Sequence, residues 1–218
     1  EKEMEELNLF VRSIFIDNMI FAYFLGMCSF LAVSKNVKTA LGLGVAVTFM
    51  LVVSLPINYL LNTYVLQPGA LAWLGEEFAD VDLSFLALIM FIAVIASMTQ
   101  LVEMAVEKFS PSLYASLGIF LPLIAVNCAI LGASLFMQQR DFGSALTATV
   151  YGAGSGIGWL IAIVGIAAIR EKLAYSNVPK PLRGIGITFI LTGLMGIAFM
   201  SFVGIILLQN IDTWIFNH

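Results

Sequence analysis

Thiols and imidazoles are scarce in this 218-residue chain, which has two cysteines, Cys28 and Cys128, and one histidine, His218, at its last position. No Cys-x-x-Cys pair occurs. A self-contained zinc or haem site is therefore excluded, because either would need more nitrogen and sulfur donors than the chain holds. Charge is scarce as well: Asp, Glu, Lys and Arg make up 11% of residues, against roughly a quarter in a soluble globular domain. No stretch is polar and long enough to form a separate soluble domain. No basic cluster suggests a nucleic-acid partner. The opening EKEMEE has no basic n-region, so a cleavable signal peptide is not expected.

What is present is apolar. Hydrophobic residues account for 61% of the chain and the mean hydropathy is +1.00. This is the composition of a polytopic membrane protein. Crossing about 30 Å of hydrocarbon takes about 20 largely apolar residues. Six stretches qualify, at roughly 9–33, 39–66, 83–106, 112–137, 144–169 and 184–209. None alternates as a barrel strand would, and backbone polar groups in lipid must be paired internally, so all six are expected to be helices. The fold class expected is therefore an all-α membrane protein, a single integral membrane domain over residues 1–218. Six spans put both termini on one side. The loops of the opposite side hold Lys35, Lys38, Lys108, Arg170, Lys172, Lys180 and Arg183; the terminal side holds Lys2 and Arg140, with Arg12 at or just inside the first span. The positive-inside rule then places both termini outside the cytoplasm. The acidic loop with Glu76, Glu77, Asp80 and Asp82 falls on that outer side. Six spans also divide into two halves of three, and an odd number per half requires the second half to be inverted. That arrangement places function near mid-membrane, where the repeats meet.

Each half carries one cysteine in its first span, in the contexts FLGMCSFLAV and LIAVNCAILG. Three readings stand side by side. The thiols are inert small residues, or a disulfide, or half of a four-thiolate metal site completed by a second chain. In the metal reading the ligands must face an interface rather than lipid. Gly26 and Asn127 beside the thiols allow close approach, and Pro122 interrupts the fourth span. Two acids lie within spans, Asp17 and Glu103. Asp17 is expected to pair with Arg12 or Ser13. Glu103 is a candidate for a cation pathway, with Asn18, Thr99 and Gln100 as possible companions, or else an interfacial carboxylate near Lys108. The run YGAGSGIGW at 151–159 approaches a dinucleotide fingerprint, but no strand precedes it, so tight helix packing is expected and no cofactor is assigned. The basic loop IREKLAYSNVPKPLRG reads as a topology determinant or a docking surface for a partner or lipid headgroups.

The segments FLGMCSFLAVSK (24–35), LGIFLPLIAVNCAILG (117–132), QRDF (139–142), YGAGSGIGW, IREKLAYSNVP (169–179) and GITFILTGLMGIAFMSF (186–202) together carry a resemblance. The chain resembles the membrane subunits of the NqrDE/RnfAE family, and within it the E-type subunits of the sodium-translocating NADH:quinone oxidoreductase (Nqr). Coverage runs from about residue 7 to 204. Members of the Rnf branch tend to have proline directly after the first cysteine, and here Ser29 stands instead. The resemblance implies two inverted three-helix repeats in a bacterial inner membrane, with both termini periplasmic. It implies that Cys28 and Cys128 bind the iron of one [2Fe-2S] cluster shared with a homologous, inverted D-type subunit that supplies two more cysteines. Glu103, in QLVEM, matches an acidic position of the family's sodium route, and Asp17 is carried as a second candidate for that path. Flavins, NADH and ubiquinone are implied to sit on other subunits (A, B, C and F types), so this chain carries no catalytic residue of its own. Two rivals are an Rnf-type subunit serving ferredoxin:NAD oxidoreduction and an inverted-repeat secondary transporter with inert cysteines.

Overall fold

The computed structural model describes residues 2–67, 84–109, 111, 114, 121–140 and 142–216. Every regular element among them is helical. Helix α1 spans Lys2–Phe15, α2 Met27–Val33, α3 Val37–Leu61, α4 Ala87–Phe109, α5 Leu121–Ala125, α6 Cys128–Arg140, α7 Ala145–Leu173 and α8 Ile185–Phe216. A π-helical turn, Asn62–Leu66, extends α3. The acidic loop and much of 112–120 lie outside the described residues.

Among the described residues, five helical stretches are long and apolar enough to cross a membrane: Val37–Leu66, Ala87–Phe109, Pro122–Arg140, Ala145–Leu173 and Ile185–Phe202. Six were expected. The difference is the stretch 9–33, which is not one helix. It is α1, then eleven non-helical residues, then the seven-residue α2. Lipid forbids such a break unless its backbone groups find partners. Asn18 supplies them. Its Nδ2 donates to Ile14 O at 3.0 Å and to Gly158 O at 2.9 Å, and its Oδ1 accepts from Ile20 N at 3.0 Å and Phe21 N at 3.3 Å. The stretch 112–137 is also interrupted. Pro122 sits in the first turn of α5, and the break itself falls at Val126 and Asn127.

The glycine run packs helices, as its composition predicts. A β-carbon on Gly156 would fall 2.7 Å from Thr48 Cα, and one on Gly152 would fall 2.8 Å from Leu51 O. Thus α7 lies backbone to backbone against α3, antiparallel to it. On the neighbouring face Gly154 meets Phe10 O at 2.9 Å and Gly158 meets Ile14 O at 2.8 Å by the same construction. Helix α1 therefore runs parallel to α7. With no hydrophobic drive between helices in lipid, this close dispersion contact is what holds them together. Tyr151, Trp159, Ile163 and Ile166 of α7 are fully buried, together with Leu43, Val47 and Leu51 of α3.

Arg170 and Glu171, in the IREK segment, grip the turn between α2 and α3. Arg170 Nη1 donates to Leu31 O at 3.1 Å and to Ser34 Oγ at 2.6 Å, at the C-terminus of α2. Glu171 Oε1 accepts from Val37 N at 2.9 Å, at the N-terminus of α3. Each charge matches the helix end it touches, a cation on free carbonyls and an anion on free N–H groups. This basic loop, read as a topology determinant or a docking surface, thus spends two of its charges inside the chain. Lys35, Arg170 and Lys172 line one surface hollow, and Arg183 lies beside Arg170 in another, so these basic residues share one end of the bundle.

Candidate functional site

Both breaks lie at the level of Trp159. Gly26 closes the first, with φ of +79°, a left-handed conformation natural to glycine. A β-carbon there would fall 2.7 Å from Asn127 Oδ1 and 2.9 Å from Trp159 Nε1. The start of α2 and the start of α6 are therefore in contact. Cys28 is the second residue of α2 and Cys128 the first of α6. Helix α2 leaves this level toward Arg170; α6 leaves it toward Arg140, whose guanidinium carbon lies 5.4 Å from the centre of the Tyr151 ring. Tyr151 and Arg170 flank Trp159 along α7, so the two cysteine-bearing helices diverge in opposite directions from one junction.

Both thiols are free and exposed on this chain. No disulfide joins them. Cys128 Sγ lies 4.0 Å from Val126 O. Among the described residues no cluster of three or more His, Cys, Asp or Glu could hold a metal alone. The two exposed thiols stand on adjacent helix starts, and their donor type matches two of the four ligands that a thiolate cluster site takes. Asn127 caps α6 by accepting from Ala129 N at 3.0 Å through Oδ1.

Asp17 is committed to arginines. Arg12 Nε lies 3.4 Å from Oδ2, which agrees with the expected pairing. The nearer partner is Arg140, whose Nη1 donates to Oδ2 at 2.8 Å. Tyr23 donates its hydroxyl to Oδ1 at 3.2 Å. Ser13 instead donates to Leu9 O. Sequence reasoning passed over Arg140 as a partner, although it placed both residues at the outer end. Glu103 stands apart from this cluster, half-buried on α4, and no ion pair holds it among the described residues. Thr99, one turn earlier, donates its hydroxyl to Ile95 O at 2.8 Å, and Gln100 is exposed.

One further set was not foreseen. Ser54 Oγ, Asn58 Oδ1, Asn127 Nδ2, Tyr151 OH, Ser155 Oγ and Trp159 Nε1 are buried without a hydrogen-bond partner. Three of them, Tyr151, Ser155 and Trp159, recur every fourth residue of α7 and so share one stripe. That periodicity was visible in the sequence.

Residues 6–206 match the model of the family described as Rnf-Nqr subunit, membrane protein. The chain belongs to that family. Three of its relatives carry the name of the E subunit of Na(+)-translocating NADH-quinone reductase. That of Psychromonas ingrahamii is 59% identical over 199 residues, covering 91% of this chain and 97% of its own length. That of Psychrobacter cryohalolentis is 58% identical over 198 residues, covering 91% and 96%. That of Rhodopirellula baltica is 56% identical over 209 residues, covering 91% and 97%. This Rnf-Nqr chain is thus similar to these proteins over nearly its whole length.

Proposed function

We propose that this chain is the E-type membrane subunit of a Na⁺-translocating NADH:quinone reductase. In this reading Cys28 and Cys128 supply two of the four thiolates of an intramembrane [2Fe-2S] cluster. A homologous D-type subunit supplies the other two. The observation that carries it is the contact of Gly26 with Asn127, which brings the two cysteine-bearing helix starts to one junction with both thiols exposed. Inert thiols need no such convergence. The names of the relatives favour the Nqr complex over an Rnf-type complex or a secondary transporter.

The cluster, when bound, supplies one-electron transfer. The residues of this chain would position it. Gly26 permits the close approach, Asn127 caps the helix that begins with Cys128, and Arg170 fixes the far end of the helix carrying Cys28. Flavins, NADH and ubiquinone sit on the A, B, C and F types of subunit. Two further parts belong to the same reading. The chain crosses a bacterial inner membrane six times as two inverted threes, with α1, the break and α2 together making the first crossing. Its termini are periplasmic, because the basic residues gather at the opposite end. Na⁺ moves past Glu103 rather than Asp17, whose oxygens are engaged by Arg140, Arg12 and Tyr23.

The test is iron per assembled complex, with the visible and paramagnetic signature of a two-iron centre. Cys28→Ser and Cys128→Ser are each expected to abolish that iron while the other subunits still assemble. Full iron content in both variants would overturn the assignment.

A further inference from the structure

Two of the partnerless buried donors lie at the cysteine junction itself. Asn127 is 2% exposed and Trp159 is 0% exposed. Asn127 uses Oδ1 on Ala129 N and leaves Nδ2 free; Trp159 leaves Nε1–H free. Trp159 Nε1 and Asn127 Oδ1 both lie within 3 Å of the point where a Gly26 β-carbon would stand, and Nδ2 is the other end of the same amide group. Cys28 is two residues from Gly26, and Cys128 follows Asn127 directly. A buried unpaired N–H costs about 1–3 kcal/mol. Native proteins rarely leave such groups idle, and a redox role, an ion or an ordered water is the usual reason.

We propose that Asn127 Nδ2–H and Trp159 Nε1–H are the positive ends of a donor pair that stabilises added negative charge at the Cys28–Cys128 junction, and so raise the reduction potential of the centre bound there. The inference rests on the reading of the two cysteines as ligands. Its physical basis is simple. Reduction adds one negative charge in a low-dielectric setting, where a fixed N–H dipole acts strongly. Hydrogen bonding and burial around the sulfurs are established levers on cluster potential. Among the described residues, Arg140 and Arg170 bond at the far ends of α6 and α2 and leave this level free of a formal cation. Asn127 and Trp159 are positioning residues in this scheme, not ligands.

The test is a redox titration of the two-iron signal in the assembled complex. Trp159→Phe removes the donor and keeps a ring. Asn127→Ser removes Nδ2 and keeps an oxygen able to cap α6. Tyr151→Phe, which deletes a partnerless hydroxyl two turns away on the same stripe, is the control. Each donor variant is expected to retain iron and to lower the reduced-to-oxidised ratio at fixed potential up to tenfold, a negative shift of up to about 59 mV for one electron. The control is expected to titrate as the parent protein. Unmoved potentials with iron retained would mean that the donors hold only a structural water, and would end the proposal. So would an equal shift in Tyr151→Phe. Loss of iron from both donor variants in an intact assembly would make them scaffolding instead. If only one variant keeps its iron, its potential decides. Absence of iron from the parent complex would instead refute the ligand reading beneath.

Discussion

Arg140 reaches Asp17 across 123 residues of sequence and bonds its carboxylate at 2.8 Å. The pair ties the end of α6 to the break after α1. The guanidinium carbon stands 5.9 and 5.4 Å from the centres of the Phe136 and Tyr151 rings. Asp17→Asn should therefore destabilise the protein by about 1.5–3 kcal/mol, the range for a hydrogen bond to a charged group. Arg140→Gln should cost a similar amount, and the double variant less than the two together. Thermal denaturation of the purified complex measures this. Strict additivity would show that the pair contributes nothing.

The Arg170–Glu171 grip predicts a local effect. Glu171→Leu removes the side-chain acceptor on Val37 N, so exchange of that amide with deuterated solvent should accelerate. Glu171→Gln keeps an acceptor and should exchange nearly as the parent does. Equal rates in all three proteins would mean that the cap is not formed.

The glycine seam separates two substitutions of one chemistry. Gly156→Ala drives a methyl group onto the α3 backbone at Thr48 and should destabilise by about 1–3 kcal/mol. Gly165→Ala meets only Met195 Cε, the mobile end of a side chain, at 3.3 Å. There the gain of up to about 1 kcal/mol in helix propensity should dominate. Unfolding temperatures of the two variants, side by side, check the ordering.

Glu103→Gln deletes a carboxylate that no arginine or lysine holds among the described residues. It should raise the Na⁺ concentration needed for half-maximal turnover by tenfold or more, with iron content unchanged. Asp17→Asn should leave that concentration within about twofold. The reverse pattern would move the ion route to the outer arginine cluster.

The four expected spans that coincide with continuous helices were legible because length and hydropathy decide them. Helix packing along 151–159 was legible too, since small residues in lipid have few other uses. The break within 9–33 was not. Its sequence is as apolar as a helix, and the conformation is secured by Asn18 bonding Gly158, 140 residues away. No local pattern encodes that partner. The cysteine junction was hidden for the same reason. Gly26 and Asn127 were visible as neighbours of the thiols, but their mutual contact depends on two breaks meeting beside Trp159. Asp17 and Arg140 fall between these cases. Both were placed at one end of the bundle, and only the tertiary fold chooses Arg140 as the nearer partner over Arg12.

Helix α2 has only seven residues, and its last turn is anchored at Arg170. At 1.5 Å per residue, Cys28 lies about 10 Å from that anchored end. An unbroken helix over 9–33 would leave Cys28 at the same height but would carry the chain past Trp159 without a second helix start there. The break at the level of Trp159 instead starts a new helix there, with Cys28 in its first turn beside Asn127 and Cys128. In the proposed reading, an electron carrier at the basic end then stands about 10 Å from one of the two sulfurs, a fraction of the hydrocarbon thickness.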